Sequence, residues 1–292
     1  MKTRIISGIV LALIVAGVLA LGIYVSPLFI TFFIALIAAA AVYELLHNAA
    51  GIKSKAALIG ACAFSVLFVV GADENLQGLI YSFFPYSADT IVPQSTKFYN
   101  YWSYGFSGLI ILYFIFAAIV ILKNHKDFGL AQIAALFGFP LPYAYAFSCL
   151  GGIISHMDGI FYLLLLLNFS SVCDMGAYFV GSAIGKHKLC PEISPHKTVE
   201  GAVGGIVSSI IVTLILVFVF SFEDKLTATL LLTVPFCALG MVGDLFASAI
   251  KRTAGIKDYG NLIPGHGGIL DRFDSIIMIA PLFSIFVSLG VI

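Results

Sequence analysis

The chain has 292 residues, of which 61% are hydrophobic and only 10% are charged, and its mean hydropathy is +1.08. Because a soluble domain carries about 25% charged residues, this composition excludes an ordinary water-soluble fold and predicts a protein solvated by lipid. The formal net charge is zero, so the composition indicates no nucleic-acid partner. The five cysteines have no CxxC spacing and are interpreted as small apolar residues.

Nine segments are apolar enough to cross the hydrocarbon core as helices, which requires about 20 residues each. They predict an all-α, polytopic membrane protein with about nine transmembrane helices. The first segment is interpreted as a retained helix, because its apolar run is long and ends at Ser26-Pro27 rather than at a cleavage site. The predicted spans are 5–25, 28–46, 56–71, 108–122, 130–150, 159–181, 201–221, 227–250 and 273–291.

The basic residues predict the orientation. With nine spans, every lysine and arginine except Lys97 and Lys225 falls on the side of the N-terminus. Because cytoplasmic loops carry an excess of basic residues, we expect a cytoplasmic N-terminus and a multi-pass protein of the cell inner (plasma) membrane. The segment 72–107 then lies outside as an aromatic-rich insert, interpreted as an interfacial loop or as a lid. Residues 1–292 are interpreted as one transmembrane catalytic domain.

Four carboxylates lie inside the predicted spans, toward one membrane face. Asp174 and Asp244 each precede the cytoplasmic end of their helix by about six or seven residues, roughly 10 Å. Asp271 and Asp274 open the ninth span, and their i, i+3 spacing places both on one face. Intramembrane carboxylates are costly and mark functional sites, and clustered oxygen ligands suit Mg²⁺. We therefore expect a cavity, open to the cytoplasm, that binds magnesium and phosphate.

Two polar loops, 185–201 and 251–268, adjoin these acids. Their lysines, with Arg272, can neutralise phosphate, and Gly265, Gly267 and Gly268 let backbone N–H groups approach an anion. The N-terminus of the ninth helix adds positive potential. Together these features predict phosphoryl or nucleotidyl transfer.

Each of these residues also has a structural interpretation. Asp174 or Asp244 can be a satisfied contact between helices, and Asp271 with Asp274 can cap a helix N-terminus. His266 can be a turn residue. Glu44, in the second span, is interpreted as structural or as reaching the interface, and the pair Gly201 and Gly205 as close helix packing.

The sequence Ser248–Asp274, SAIKRTAGIKDYGNLIPGHGGILDRFD, resembles the signature of the phosphatidate cytidylyltransferase (CDP-diacylglycerol synthase) family. The resemblance extends upstream through Gly243-Asp244, through 194–201 and more loosely through 174–178, where Met175 replaces the family's usual threonine. The motif-bearing part is about 170–275. The resemblance implies a cation-dependent enzyme of about nine helices, often a homodimer, that makes CDP-diacylglycerol from CTP and phosphatidic acid.

Residue roles follow from the resemblance. It implies that Asp244 and Asp271 ligate Mg²⁺ at the CTP phosphates, with Asp274 supporting the metal site or orienting Arg272, while basic residues neutralise the triphosphate. The predicted catalytic residues are Asp244, Asp271, Asp274, Lys251, Arg252 and Arg272, the first three also being the metal ligands. The predicted substrate-binding residues are Asp174, Ser194, Lys197, Thr198, Lys257, His266, Gly267 and Gly268.

The motifs leave open the lipid acceptor, a second cation and an alternative class of protein. The motifs concern the nucleotide and the metal, so the acceptor is phosphatidic acid or another lipid phosphate. A second cation such as K⁺ can share the site. A cation-coupled transporter would also carry buried carboxylates, although such sites lie near the midplane, whereas these acids cluster toward one face.

Overall fold

The computed structural model describes residues 2–83, 94–265 and 267–292. The chain divides into two compact units, one comprising Met1–Gly152 with Tyr259–Leu270, and the other comprising Ile153–Asp258 with Asp271–Ile292. The first unit contains α1 (Lys2–Tyr24), α2 (Leu28–Glu44), α3 (Lys55–Gly71), α4 (Glu74–Ser82), α5 (Gln94–Lys123), α6 (Leu130–Gly138) and most of α7 (Pro140–Ser155). The prediction of one catalytic domain stays a prediction.

The second unit begins at Ile153, near the end of α7, and contains the only two strands in the described part of the chain. Its elements are α8 (Gly159–Leu167), α9 (Cys173–Ile184), β1 (Lys188–Cys190), β2 (Ser194–Thr198), α10 (Val199–Val219), α11 (Leu226–Thr253) and nearly all of α12 (Leu270–Ser288). The strands pair antiparallel, with Lys188 opposite Thr198 and Cys190 opposite Ser194. The polytopic all-α prediction is thus confirmed.

Seven helical segments among the described residues are long and apolar enough to span a membrane. An eighth results if α3 and α4, which bend by 68° at their junction, form one span. The segment predicted as the ninth span is helical, as α12, but it is not among these candidates because Asp271, Arg272 and Asp274 place three charges in its first two turns. The count of nine is therefore not confirmed, and the cytoplasmic N-terminus stays a prediction.

The segment 72–107 differs from the predicted loop because it contains helix on both sides of residues 84–93, which lie outside the described residues. Asp73 begins α4 by accepting a 2.8 Å hydrogen bond from the Leu76 N–H. Trp102, on α5, donates from its indole N–H to the Gly71 carbonyl at 2.9 Å. Hydropathy did not indicate these helical turns because polar and aromatic residues interrupt the apolar pattern.

Hydrogen bonds from the polar side chains of Asn168, Thr213 and Thr233 join the membrane-spanning helices of the second unit. The side-chain amide of Asn168 donates to the Ser209 carbonyl at 3.0 Å and to the Thr213 hydroxyl at 2.9 Å. The Thr213 and Thr233 hydroxyls lie 3.0 Å apart. Since hydrocarbon offers no alternative partners, these bonds connect α10 to α11 and to the π-helical turn Asn168–Val172 that precedes α9.

Glycines set the approach of α9 to α10. A Cβ added at Gly201 would lie 2.7 Å from the Ala177 carbonyl oxygen, and one at Gly205 would lie 2.5 Å from the Cys173 carbonyl oxygen. Any larger residue would force the two backbones apart. The interpretation of this glycine pair as close helix packing is confirmed, and the packing fixes α9, which carries Asp174.

Candidate functional site

The second unit contains a pocket of about 360 Å³ that has charged side chains on a largely apolar wall. Five of the residues that line it were predicted from the sequence to bind substrate or metal: Asp174, Ser194, Lys197, Thr198 and Asp244. They come from three separate stretches of chain, namely α9, the β-hairpin with the start of α10, and α11. The structure thus brings together acids and basic residues that are up to 70 positions apart in the sequence.

The β-hairpin presents Lys197 to the acids. Thr198 ends β2 and caps α10, its hydroxyl accepting a 3.1 Å hydrogen bond from the Gly201 N–H. Glu200 accepts from the backbone N–H groups of Lys186 and His187 and lies 2.6 Å from the His187 ring Nδ1. These bonds fix both ends of the hairpin, so that the Lys197 ammonium reaches the Asp244 carboxylate in an ion pair.

A second ion pair joins α11 to α12. The Lys251 ammonium donates to the Asp271 carboxylate at 2.8 Å, and the two side chains are only 12% and 4% exposed. Lys251 lies seven residues after Asp244 on α11, which is two helical turns, so both point from the same face about 10 Å apart along the axis. One face of α11 therefore carries a residue of each ion pair.

Asp274 reaches the same region because α11 and α12 approach closely. A Cβ added at Gly243 would lie 2.9 Å from the Asp274 carbonyl oxygen. The Asp274 carboxylate accepts a 2.8 Å hydrogen bond from the Ser275 N–H and lies within electrostatic range of Asp244, Asp174 and Lys251. Of the four predicted acids, only Asp174 and Asp244 line the pocket, so the prediction that at least three carboxylates share one cavity stays a prediction.

The loop Tyr259–Leu270 belongs to the first unit and holds the predicted residues His266, Gly267 and Gly268. His266 lies outside the described residues. The backbone N–H groups of Ile269 and Leu270 donate to Glu44 at 3.1 and 2.9 Å. The N-terminus of this helix was predicted to add positive potential beside the phosphate, and these two of its N–H donors are bonded to the Glu44 carboxylate.

The predicted basic residues divide into two groups. Lys197 and Lys251 are partly buried in ion pairs, whereas Arg252, Lys257 and Arg272 are exposed. Six pocket-lining residues were not predicted, and Tyr178 and His196 are the two of them that can donate hydrogen bonds from their side chains. His196 stands inside the recognised motif at 194–201, next to Lys197, so its position was the available signal. Glu44 was interpreted as structural or interfacial, and its 5% exposure and two backbone hydrogen bonds confirm the structural interpretation.

The oxygen donors suit magnesium in their chemistry. Within residues 2–83, 94–265 and 267–292, no three His, Cys, Asp or Glu side chains converge as a ready metal cluster. Protein Mg²⁺ sites commonly use one or two carboxylates, the remaining ligands coming from water and substrate phosphates. Asp244 and Asp271, each already facing a cation in the form of a lysine, fit such a site.

These observations define a class of protein, a multi-pass helical membrane protein with a pocket that holds two carboxylates and a lysine in one of its two units. A sequence profile of the cytidylyltransferase family matches residues 2–289. The chain therefore belongs to the cytidylyltransferase family, and the resemblance seen in its motifs is confirmed.

Individual relatives agree with this assignment. The chain is 38% identical over 184 residues to a phosphatidate cytidylyltransferase of Staphylococcus haemolyticus, an alignment that covers 61% of this chain and 67% of the relative. It is 46% identical over 128 residues to a phosphatidate cytidylyltransferase of Staphylococcus saprophyticus, covering 44% of this chain and 49% of the relative. That second alignment spans about half the length of the relative.

Proposed function

We propose that this protein transfers the cytidylyl group of CTP to phosphatidic acid, producing CDP-diacylglycerol and pyrophosphate. Family membership and the names of the relatives support this activity. The observation that carries it is the pocket in which Asp174 and Asp244 lie beside Lys197. Such a site can bind a triphosphate together with its cation, which is what nucleotidyl transfer requires.

The reaction needs charge neutralisation more than proton transfer. A phosphate oxygen of phosphatidic acid attacks the α-phosphorus of CTP, the bond from that phosphorus to the bridging oxygen of the β-phosphate breaks, and pyrophosphate leaves. The attacking phosphate is already largely ionised near neutral pH, so a strong general base is unnecessary. Magnesium, when bound, would neutralise charge that develops on the phosphate oxygens.

The predicted site residues would bind the cation, the triphosphate and cytidine. Asp244 and Asp271 would hold the cation, with Asp274 beside them, while Lys197 and Lys251 would shift from their carboxylate partners toward the phosphates. Arg252, Lys257 and Arg272 are exposed and would attract the triphosphate. Ser194, Thr198, His266, Gly267 and Gly268 would contact phosphate or cytidine. A homodimer at the inner (plasma) membrane, with the site facing the cytoplasm, completes the proposal.

The test is pyrophosphate release from CTP by purified protein in detergent, with phosphatidic acid and Mg²⁺ supplied together or singly. We expect release that requires both and that falls on the order of 100-fold in Asp271→Asn, because a group that stabilises transition-state charge is lost. Asp224→Asn, an exposed acid in the same unit, is the matched control.

Other acceptors distinguish the alternatives. Release with a different lipid phosphate, but none with phosphatidic acid, would keep the chemistry and replace the acceptor. Absence of release with every lipid phosphate, from protein shown to be folded, would contradict the proposed function. Adding K⁺ to the magnesium reaction tests whether a second cation contributes.

A further inference from the structure

The carboxylate of Glu44 is buried against the backbone of the loop Tyr259–Leu270. Its side chain is 5% exposed and stands at the end of α2, where the helix widens into the π-helical turn Leu45–Ala49. It accepts backbone hydrogen bonds from Ile269 and Leu270 at 3.1 and 2.9 Å. A buried carboxylate is retained only when hydrogen bonds offset its desolvation, so the contact is specific to this acid.

Two glycines of the loop lie directly against the same carboxylate. A Cβ added at Gly260 would lie 2.4 Å from the Glu44 Oε1, and one added at Gly268 would lie 2.4 Å from its Oε2. The loop therefore packs its backbone against Glu44 at two places, near its beginning and near its end. Asn48, one turn further along the chain, donates to the Tyr259 carbonyl at 2.5 Å. Tyr259 is itself completely buried.

The hydrogen-bond donors that Glu44 engages are those at the start of α12. Leu270 is the first residue of that helix, and the N–H groups of a first turn have no partner within the helix. A negative charge placed at this end is stabilised by the helix dipole. Glu44 thus accepts the N–H groups at the end of the loop from a distant part of the chain.

We propose that Glu44 is a positioning residue for nucleotidyl transfer: it holds in place the backbone of the loop Tyr259–Leu270, on which Gly267 and Gly268 lie. This inference rests on the proposed function, because the loop carries His266, Gly267 and Gly268. Glu44 does not itself contact the reacting atoms in this assignment. Its effect on turnover passes entirely through the backbone that it holds.

The first experiment compares Glu44→Gln with the wild type, using Glu74→Gln, an exposed glutamate of the same unit, as the matched control. Glutamine keeps the size but loses the charge and one of the two acceptors. We expect the KM for CTP to rise about 10–100-fold, the range found when groups supporting a metal site are changed. The KM for phosphatidic acid and the thermal midpoint should remain near the wild-type values.

Hydrogen–deuterium exchange supplies a readout that needs no substrate. We expect the amides of the loop to exchange at least tenfold faster in Glu44→Gln, with α2 and α3 unchanged. If wild-type protein fails to turn over CTP while the variant loosens the loop, the proposed function fails and the anchoring role stands. Wild-type exchange and wild-type KM for CTP in the variant would overturn the inference.

A second variant approaches the same contact from the loop side. Gly260→Ala places a methyl group where the Glu44 carboxylate lies, so it should reproduce the faster exchange and the higher KM for CTP. Gly152→Ala is the control, because a Cβ there meets nothing within 4 Å. If Gly260→Ala has the same amide exchange and the same KM for CTP as Gly152→Ala, the loop does not depend on close packing against the Glu44 carboxylate. That result would contradict the inference.

Discussion

Lys251 donates a 2.8 Å hydrogen bond to Asp271 across α11 and α12, and both side chains are almost fully buried. Removing one member of such a pair leaves a charge without its main partner in a medium that solvates it poorly, which costs about 3–5 kcal/mol. Replacing both members together avoids much of that cost. The pair therefore offers a way to separate stability from activity.

We expect Lys251→Met to lower the free energy of unfolding by about 3 kcal/mol and to reduce pyrophosphate release. The double variant Lys251→Met/Asp271→Leu should recover much of the stability and none of the activity. A titration with denaturing detergent measures the free energy of unfolding. Pyrophosphate release from CTP measures the activity. Recovery of activity in the double variant would show that the pair is only structural.

Lys197 should matter for CTP more than for folding, since its pair with Asp244 borders an open pocket. A charge-assisted hydrogen bond contributes about 1.5–3 kcal/mol, so Lys197→Met should raise the KM for CTP roughly tenfold or more. Lys197→Arg should retain part of the affinity. The control is Lys126→Met, an exposed lysine outside both loops that were predicted to neutralise phosphate, for which we expect unchanged kinetics.

Gly243 determines how closely α11 and α12 approach. The Cβ of Gly243→Ala would lie 2.9 Å from the Asp274 carbonyl oxygen, and overpacking of this kind costs about 1–3 kcal/mol. We expect a lower thermal midpoint and weaker pyrophosphate release, because Asp244 and Asp274 are displaced. Gly105→Ala on α5, where a Cβ has open space, should have neither effect. Unchanged stability in Gly243→Ala would indicate that the two helices readily move apart.

The orientation predicted from the basic residues can be tested with an impermeant thiol reagent. We expect a cysteine at Lys126 to react only in inside-out vesicles and one at Lys225 to react only in right-side-out vesicles. The unmodified protein, with its own five cysteines, gives the background labelling. The reverse pattern would place the carboxylate pocket on the outer face and contradict the proposed location.

The sequence predicted which residues belong to the site better than it predicted which residues contact one another. Apolar runs located the helices, and the motifs identified Asp174, Lys197 and Asp244, which the pocket brings together. The segment 72–107 was missed as helix because its aromatic and polar residues break the apolar run. Glu44 was recognisable only as a buried acid, since its partners at Ile269 and Leu270 lie more than 200 residues away.

What the sequence determined by itself concerns properties that each stretch of chain carries locally. Hydropathy requires lipid and, in lipid, helix, because only a helix satisfies its own backbone hydrogen bonds. The motif residues likewise identify the family without a fold. Only the tertiary structure decided that Lys251 pairs with Asp271, that Lys197 pairs with Asp244, and that Glu44 accepts the N–H groups of Ile269 and Leu270. These partners are separated along the chain and meet only when it folds, and for α11 and α12 the close approach depends on Gly243, where a Cβ would lie 2.9 Å from the Asp274 carbonyl oxygen.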